Sequence, residues 1–423
     1  LAFILFGLAG LATAVGWMVA EPSLLGLPHF HPRVVALVHL WLPGFLLSVC
    51  IGALYQLMPV VLGTPLVMSA WKLWSHFGLH AFGVSLLVIA FTSGHYEWAA
   101  VGGIFVSLGI SLLFVAVLRT FGGAKRRDAA AWCFPIATGW LAATVLFGLV
   151  LAFNRRWPWL PLSATDLLRA HAHFGLAGFF LTLLQGTTFQ LIPMFTMGTL
   201  RRPHLIWTGL LATQAGLLAL APGLAWDQSA LIRIGAVIIA AGILCSVVAF
   251  LETLQTRRRK TIEPGIKAFI LGTGALVVSA MIGVGIAFTS VSHLLVSRWI
   301  TAYGIVIIPG ALSLTVLGML CKIVPFLVWM RAYGPKVGKQ PVPIATALAS
   351  RGLEHSWLAF HLAGLGLLFI GATLASTTTI MVGGVALAIS TGCFLSNMLR
   401  VLAHLCGSDT KILSPSGVPA RSL

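Results

Sequence analysis

Two histidines separated by one residue, His171 and His173, interrupt an otherwise apolar stretch of this chain, and His39 stands in a matching stretch upstream. A neutral imidazole offers one ring lone pair and one N–H. It can therefore ligate a metal, bind haem iron axially or pass a proton. A polar ring inside hydrocarbon is costly and ordinarily has a role there. Residues two apart on a helix point about 200° apart, so His171 and His173 cannot serve one site from one regular helix. They hold two groups on opposite sides, or one group with the second histidine in support. His76 and His80 are four apart and share a helix face.

The elements that carry these side chains follow from composition. Of 423 residues, 59% are apolar and 8% charged, against about 25% charged in a soluble domain. That excludes a water-soluble, disordered or collagen-like chain. A span needs about 20 apolar residues, and twelve runs qualify, near 1–20, 33–62, 72–93, 98–119, 131–153, 167–197, 204–221, 229–253, 267–288, 298–329, 355–375 and 379–404. Only helices fit such continuous runs, because an open sheet leaves backbone groups unpaired in lipid. The reading is a single all-α integral membrane domain over 1–423.

Loop charges set its direction. Nineteen Lys and Arg fall on the side that holds both termini, and six on the other: Arg33, Arg155, Arg156, Arg169, Arg233 and Arg298. Lys322 is left inside a helix. Both termini are thus expected in the cytoplasm, in a cell inner membrane. The same charges explain the net +17, so no nucleic-acid partner is needed. The sequence begins on Leu1 rather than Met, and a signal peptide is not judged from it.

A threefold repeat organises the spans. Residues 39–66 and 173–200 match at ten of 28 positions without a gap, including His39/His173, Gly44/Gly178, Gly52/Gly186, Gln56/Gln190 and Pro59/Pro193. A third copy at 305–332 keeps Gly310, Gly318 and Pro325, with Lys322 in place of Gln and Ile305 in place of His. The copies start 134 and then 132 residues apart, so each unit is a four-helix group, about 1–127, 128–262 and 263–410. The expected architecture is three four-helix arcs around a pseudo-threefold axis, with spans 2, 6 and 10 carrying the marked segment. In spans 3, 7 and 11, Gly83, Gly216 and Gly364 align as well, which makes His80 and His361 equivalent. Paired small residues permit close packing. Gln56, Gln190 and Lys322 stand three residues before the repeat proline, placed to bond the carbonyl it frees.

Depth sorts the histidines. His39 and His173 are a turn or two inside the outer half, so two such imidazoles could hold haem iron between them; either could instead bond a neighbouring helix. Arg33, Arg169 and Arg298 precede the three marked helices and suit haem propionates or lipid headgroups. A second metal or haem near the cytoplasmic face would use His80 and His361. The outer segment with His29 and His31, together with His95 and His293, suits copper, because imidazole does. All nine acids lie in loops or at span ends, which supports no carboxylate-coupled pump. The six cysteines stand alone without C-x-x-C or C-x-x-C-H, so disulfides, iron–sulfur clusters and c-type haem are not expected.

Twelve spans, cytoplasmic termini, three arcs and outer-half histidines on spans 2 and 6 resemble subunit I of the haem–copper oxidase superfamily, which includes the oxygen-reducing oxidases and nitric oxide reductases. The resemblance covers the whole chain in architecture. It implies that His39 ligates a low-spin haem and that His171 or His173 stands where that family has a copper-site histidine. The chain departs from the family in span 10, where Ile305 stands without a histidine, and in span 7, which has only His204 at one end. A weaker resemblance links it to NnrS-like membrane proteins. The resulting expectation is a haem-binding subunit of a respiratory complex that passes electrons between a quinol pool and partner subunits. Its axial set would be His39 with His173 or His171, and its cofactor b-type haem. An oxygen or nitric oxide reductase with an unusual ligand set, a metal-ion or small-molecule permease, and a structural membrane anchor remain the other readings.

Overall fold

The computed structural model describes residues 1–289 and 294–406. Among these, twelve helices are long and apolar enough to cross a membrane, and there are no strands. The chain is a multi-pass membrane protein. Spans 1 to 4 are Ala2–Ala20, Pro32–Leu62, Ala70–Ser93 and Tyr96–Gly122. Spans 5 to 8 are Ala129–Arg156, Ala164–Thr196, Pro203–Ala225 and Ser229–Gln255. Spans 9 to 12 are Pro264–Ala287, Leu295–Ala332, Arg351–Leu374 and Thr377–Ala403. Number and order agree with the runs read from sequence. His293, Lys411 and Arg421 lie outside the described residues.

Spans 2, 6 and 10 are each more than half buried and the other nine less than half, so the second helix of each group faces inward. Each inner helix shares a feature that the sequence did not announce. Its α-helical winding opens into a π-helical segment, at Leu40–Leu47, Phe174–Leu181 and Val306–Leu312. The three segments begin at the spacing of the sequence repeat. Pro43 and Pro309 lie inside two of them and have no N–H to give the preceding turn. A widened turn leaves carbonyls short of partners, which hydrocarbon cannot supply. In all three helices the same device answers this. The first hydroxyl after the segment bonds the carbonyl five residues back: Ser48 to Pro43 at 3.0 Å, Thr182 to Ala177 at 3.3 Å and Ser313 to Ile308 at 2.8 Å.

The outer helices repeat as well. A Cβ added at Gly83 would lie 2.8 Å from the carbonyl oxygen of Gly102, one at Gly216 2.9 Å from that of Gly235, and one at Gly364 2.9 Å from that of Gly383. Backbone touches backbone in spans 3–4, 7–8 and 11–12 at matching positions, and these are the three most extensively packed helix pairs. In the inner helices, Gly186 receives Cys133 of span 5, and Gly318 receives Gly265 of span 9. The aligned glycines are therefore contact points between helices.

Enlarging such a contact should cost about 1–3 kcal/mol, the usual range for overpacking. Gly83→Val is expected to lower the thermal melting temperature of the detergent-purified protein by several degrees. Gly78→Val, one turn away with nothing within 4 Å of an added Cβ, should melt much closer to wild type.

Candidate functional site

In span 2 the α-helical stretch Pro32–His39 ends on His39, and in span 6 the stretch Ala164–His173 ends on His173. Each histidine is thus the last residue before the winding widens. Each uses its Nδ1–H in the same way: His39 donates to the Val35 carbonyl at 2.7 Å and His173 to the Arg169 carbonyl at 2.8 Å. A carbonyl only accepts, so the proton is fixed on Nδ1 and the Nε2 lone pair is left for a ligand. Both bonds run one turn back along the same helix, so each ring is held by the backbone that carries it.

The two free nitrogens serve different clefts. The ring of His39 faces His171, with centroids 6.5 Å apart and planes within 12°. The ring of His173 faces Tyr303 of span 10, with centroids 6.3 Å apart and planes within 16°. These pairs are related by the repeat, because His39 corresponds to His173 and His171 corresponds to Tyr303. At the third set of repeat positions the corresponding residues are Ile305 and Leu37, both buried and apolar. Opposite faces of span 6 therefore serve two clefts, as the one-residue spacing requires. Gly148 of span 5 makes room for His171, since a Cβ there would sit 2.7 Å from the imidazole Cε1.

His39, His171, His173 and Tyr303 all line one cavity of about 1650 Å³. Its walls come from spans 2 to 10 and are mostly aliphatic. Its charged lining residues gather at the sparsely charged face, where Arg155, Arg169, Asp227 and Arg233 are joined by His29. Arg169 is paired with Asp166, and its Nε is buried without a hydrogen-bond partner. Arg155 donates to the Tyr96 hydroxyl at 3.1 Å. Burial, and secondarily the Arg169 guanidinium, holds the His29 imidazole below its ordinary pKa.

Of the arginines singled out from sequence, only Arg169 lines the cavity. Arg33 pairs with Glu21, and Arg298 is absent from the lining. Arg155, Arg233 and Tyr303 take part instead. Tyr303 was discoverable, because it stands at the repeat position of His171. It fell two residues before the start of the aligned third copy. Among the described residues no three His, Cys, Asp or Glu side chains are placed to hold a metal ion. His31 caps span 2 by accepting from the Arg33 amide, and His95 pairs with Glu97.

Two histidines of spans 3 and 11 bond to the widened turns. His80 Nε2 meets the Ser48 hydroxyl at 2.8 Å, and His361 Nε2 donates to the Pro309 carbonyl at 2.8 Å. These equivalent histidines thus brace spans 2 and 10 separately. His76 Nδ1 meets the Tyr55 hydroxyl at 2.6 Å. Two of the three residues before the repeat proline have side-chain partners instead of the carbonyl it frees. Gln190 accepts from Arg126 at 3.5 Å, Lys322 pairs with Glu263, and Gln56 is exposed. The reason is reach: a charged partner in a neighbouring loop competes well with a carbonyl on the same helix.

Comparison with models of known families finds no match, and comparison with curated proteins finds no similar sequence.

Two predictions concern the charges around this framework. Lys322 is mostly buried while its partner Glu263 is 32% exposed, so removing one partner should cost about 1–3 kcal/mol, less than for a fully buried pair. Glu263→Gln should therefore lower the melting temperature markedly, and adding Lys322→Met should recover part of the loss. His29 titrates lower in the folded chain than in the unfolded one, so acid protonates the unfolded chain first. Its contribution to stability is complete above about pH 6.5 and is lost as pH falls below that. The slope of melting temperature against pH from 7 to 5 should be shallower in His29→Gln.

Proposed function

We propose that this chain is a haem-binding electron-transfer subunit of a membrane respiratory complex, with His39 and His171 as the axial pair. The observation that carries the reading is the opposed His39–His171 pair in the wall of a large apolar cavity. With metal–nitrogen bonds of about 2 Å and about 1 Å from each nitrogen to its ring centre, two imidazoles facing one metal have centres about 6 Å apart. The observed centre-to-centre distance, 6.5 Å, is of that size. The backbone bond to Val35 leaves His39 Nε2 unprotonated, as an iron ligand requires.

The remaining lining suits the rest of such a group. Aliphatic walls would accept the macrocycle, and Arg155, Arg169 and Arg233 at one end of the cavity would hold its propionates. The chain has no C-x-x-C-H, which favours b-type haem held by coordination alone. When bound, haem supplies one-electron chemistry. The protein's residues hold its ligands, exclude water around it and fix its orientation. Of the two axial sets open from sequence, His39 with His171 is preferred, since His173 faces away into the next cleft.

The excess of basic residues on the terminal side supports both termini in the cytoplasm, and that orientation places the cavity toward the outer face. Quinol and partner subunits would then exchange electrons with haem from the outer half of the bilayer. The three-arc arrangement supports kinship with subunit I of the haem–copper oxidases.

A reduced-minus-oxidised visible spectrum with a pyridine haemochrome assay tests this. Purified wild type should show a low-spin b-type signal that His39→Ala and His171→Ala each abolish. Intact protein without haem would overturn the reading and favour a permease.

A further inference from the structure

We propose that His173 and Tyr303 form the head-group site of a membrane quinol, on the face of span 6 opposite His171. The inference rests on the haem reading for its electron acceptor only. His173 Nε2 is an acceptor, because its Nδ1–H is committed to the Arg169 carbonyl. The Tyr303 hydroxyl has no hydrogen-bond partner among the described residues and donates. A ligand here must offer a hydroxyl to one group and an oxygen acceptor to the other, beside two near-parallel rings whose centres are 6.3 Å apart. A quinol head group has this pattern.

The repeat sharpens the assignment. At the first cleft the residue opposite a backbone-tethered histidine is another imidazole, and here it is a phenol. That exchange replaces a second nitrogen ligand with a hydrogen-bond donor, so the same framework turns from gripping a metal to orienting a polar ring. Room is available, because the cavity's 1650 Å³ exceeds the roughly 300–1,000 Å³ that one small ligand ordinarily fills. Leu220, Leu276, Ile300 and Ile307 line it and suit an isoprenoid tail. Phe288, more than half exposed, lies at the charged end beneath the Arg233 guanidinium.

Oxidation of one bound quinol to quinone breaks two O–H bonds and releases two electrons and two protons. The electrons would pass singly to the haem that His39 and His171 would hold, which a partner subunit would reoxidise between the two transfers. One proton goes to His173 Nε2 and the other to water at the cavity mouth beside Asp227.

The test uses the full chain in lipid nanodiscs with decylubiquinol as the probe. Equilibrium dialysis measures binding without reference to haem, and stopped-flow absorbance follows haem reduction. Tyr303→Phe, which keeps the ring, and His173→Gln should each weaken binding about tenfold, the scale of a lost hydrogen bond with its partner left unsatisfied. Both should slow reduction by decylubiquinol, while haem content and reduction by dithionite match wild type. Unchanged binding in both variants overturns the proposal. So does a loss of haem in His173→Gln, which would make His173 a metal ligand. If wild type holds no haem, the haem reading fails by itself, and the dialysis result still decides whether this cleft binds a quinol.

Discussion

In hydrocarbon a backbone carbonyl that loses its helical partner has no water to turn to, and this constraint shapes the inner ring of helices. Each of the three inner helices widens at the same register, and each satisfies the widened turn with a hydroxyl placed one residue beyond it. Two of the openings also recruit an imidazole, His80 in one and His361 in the other. The arrangement explains why Ser, Thr and His stand in stretches that otherwise admit only apolar residues. It also explains why the candidate ligands lie where they do. His39 and His173 close the last regular turn before the widening, so their Nδ1–H still finds a carbonyl four residues back while Nε2 is left free.

How much of this was legible in the sequence depended on the kind of signal. Continuous apolar runs set the number and order of the spans, because length and hydropathy alone decide whether a helix can cross lipid. The aligned glycines of spans 3, 7 and 11 marked contacts that the structure shows as backbone-to-backbone approach, so a repeat of small residues was readable as packing. The π-helical turns were not readable. Proline marks only two of the three, and Phe174–Leu181 widens without one. Arginines were singled out by proximity to helix starts, yet Glu21 holds Arg33 away from the cavity, and Arg155 and Arg233 reach it from the ends of other helices. Tertiary neighbours of that kind have no signature along the chain.

The candidate site divides in the same way. Spacing alone required His171 and His173 to look in opposite directions, and they do. Which of them faces His39 depended on the rotation of span 6 against span 2, a quantity that periodicity within one helix does not contain. Tyr303 shows a different limit. Its importance lies in occupying a histidine's place in the repeat, and a search confined to histidines passes over it.

The three sets of repeat positions carry different chemistry: two imidazoles, an imidazole with a phenol, and two aliphatic side chains. Both polar clefts draw a residue from one short stretch of span 6. Two residues rise about 3 Å along a helix axis, so that offset is built into a single rigid rod and does not change when the arcs shift against each other. A rate that falls steeply with distance would be held constant by such a rod. At the third set of repeat positions, Leu37 and Ile305 are aliphatic, so the run of polar ring pairs stops there.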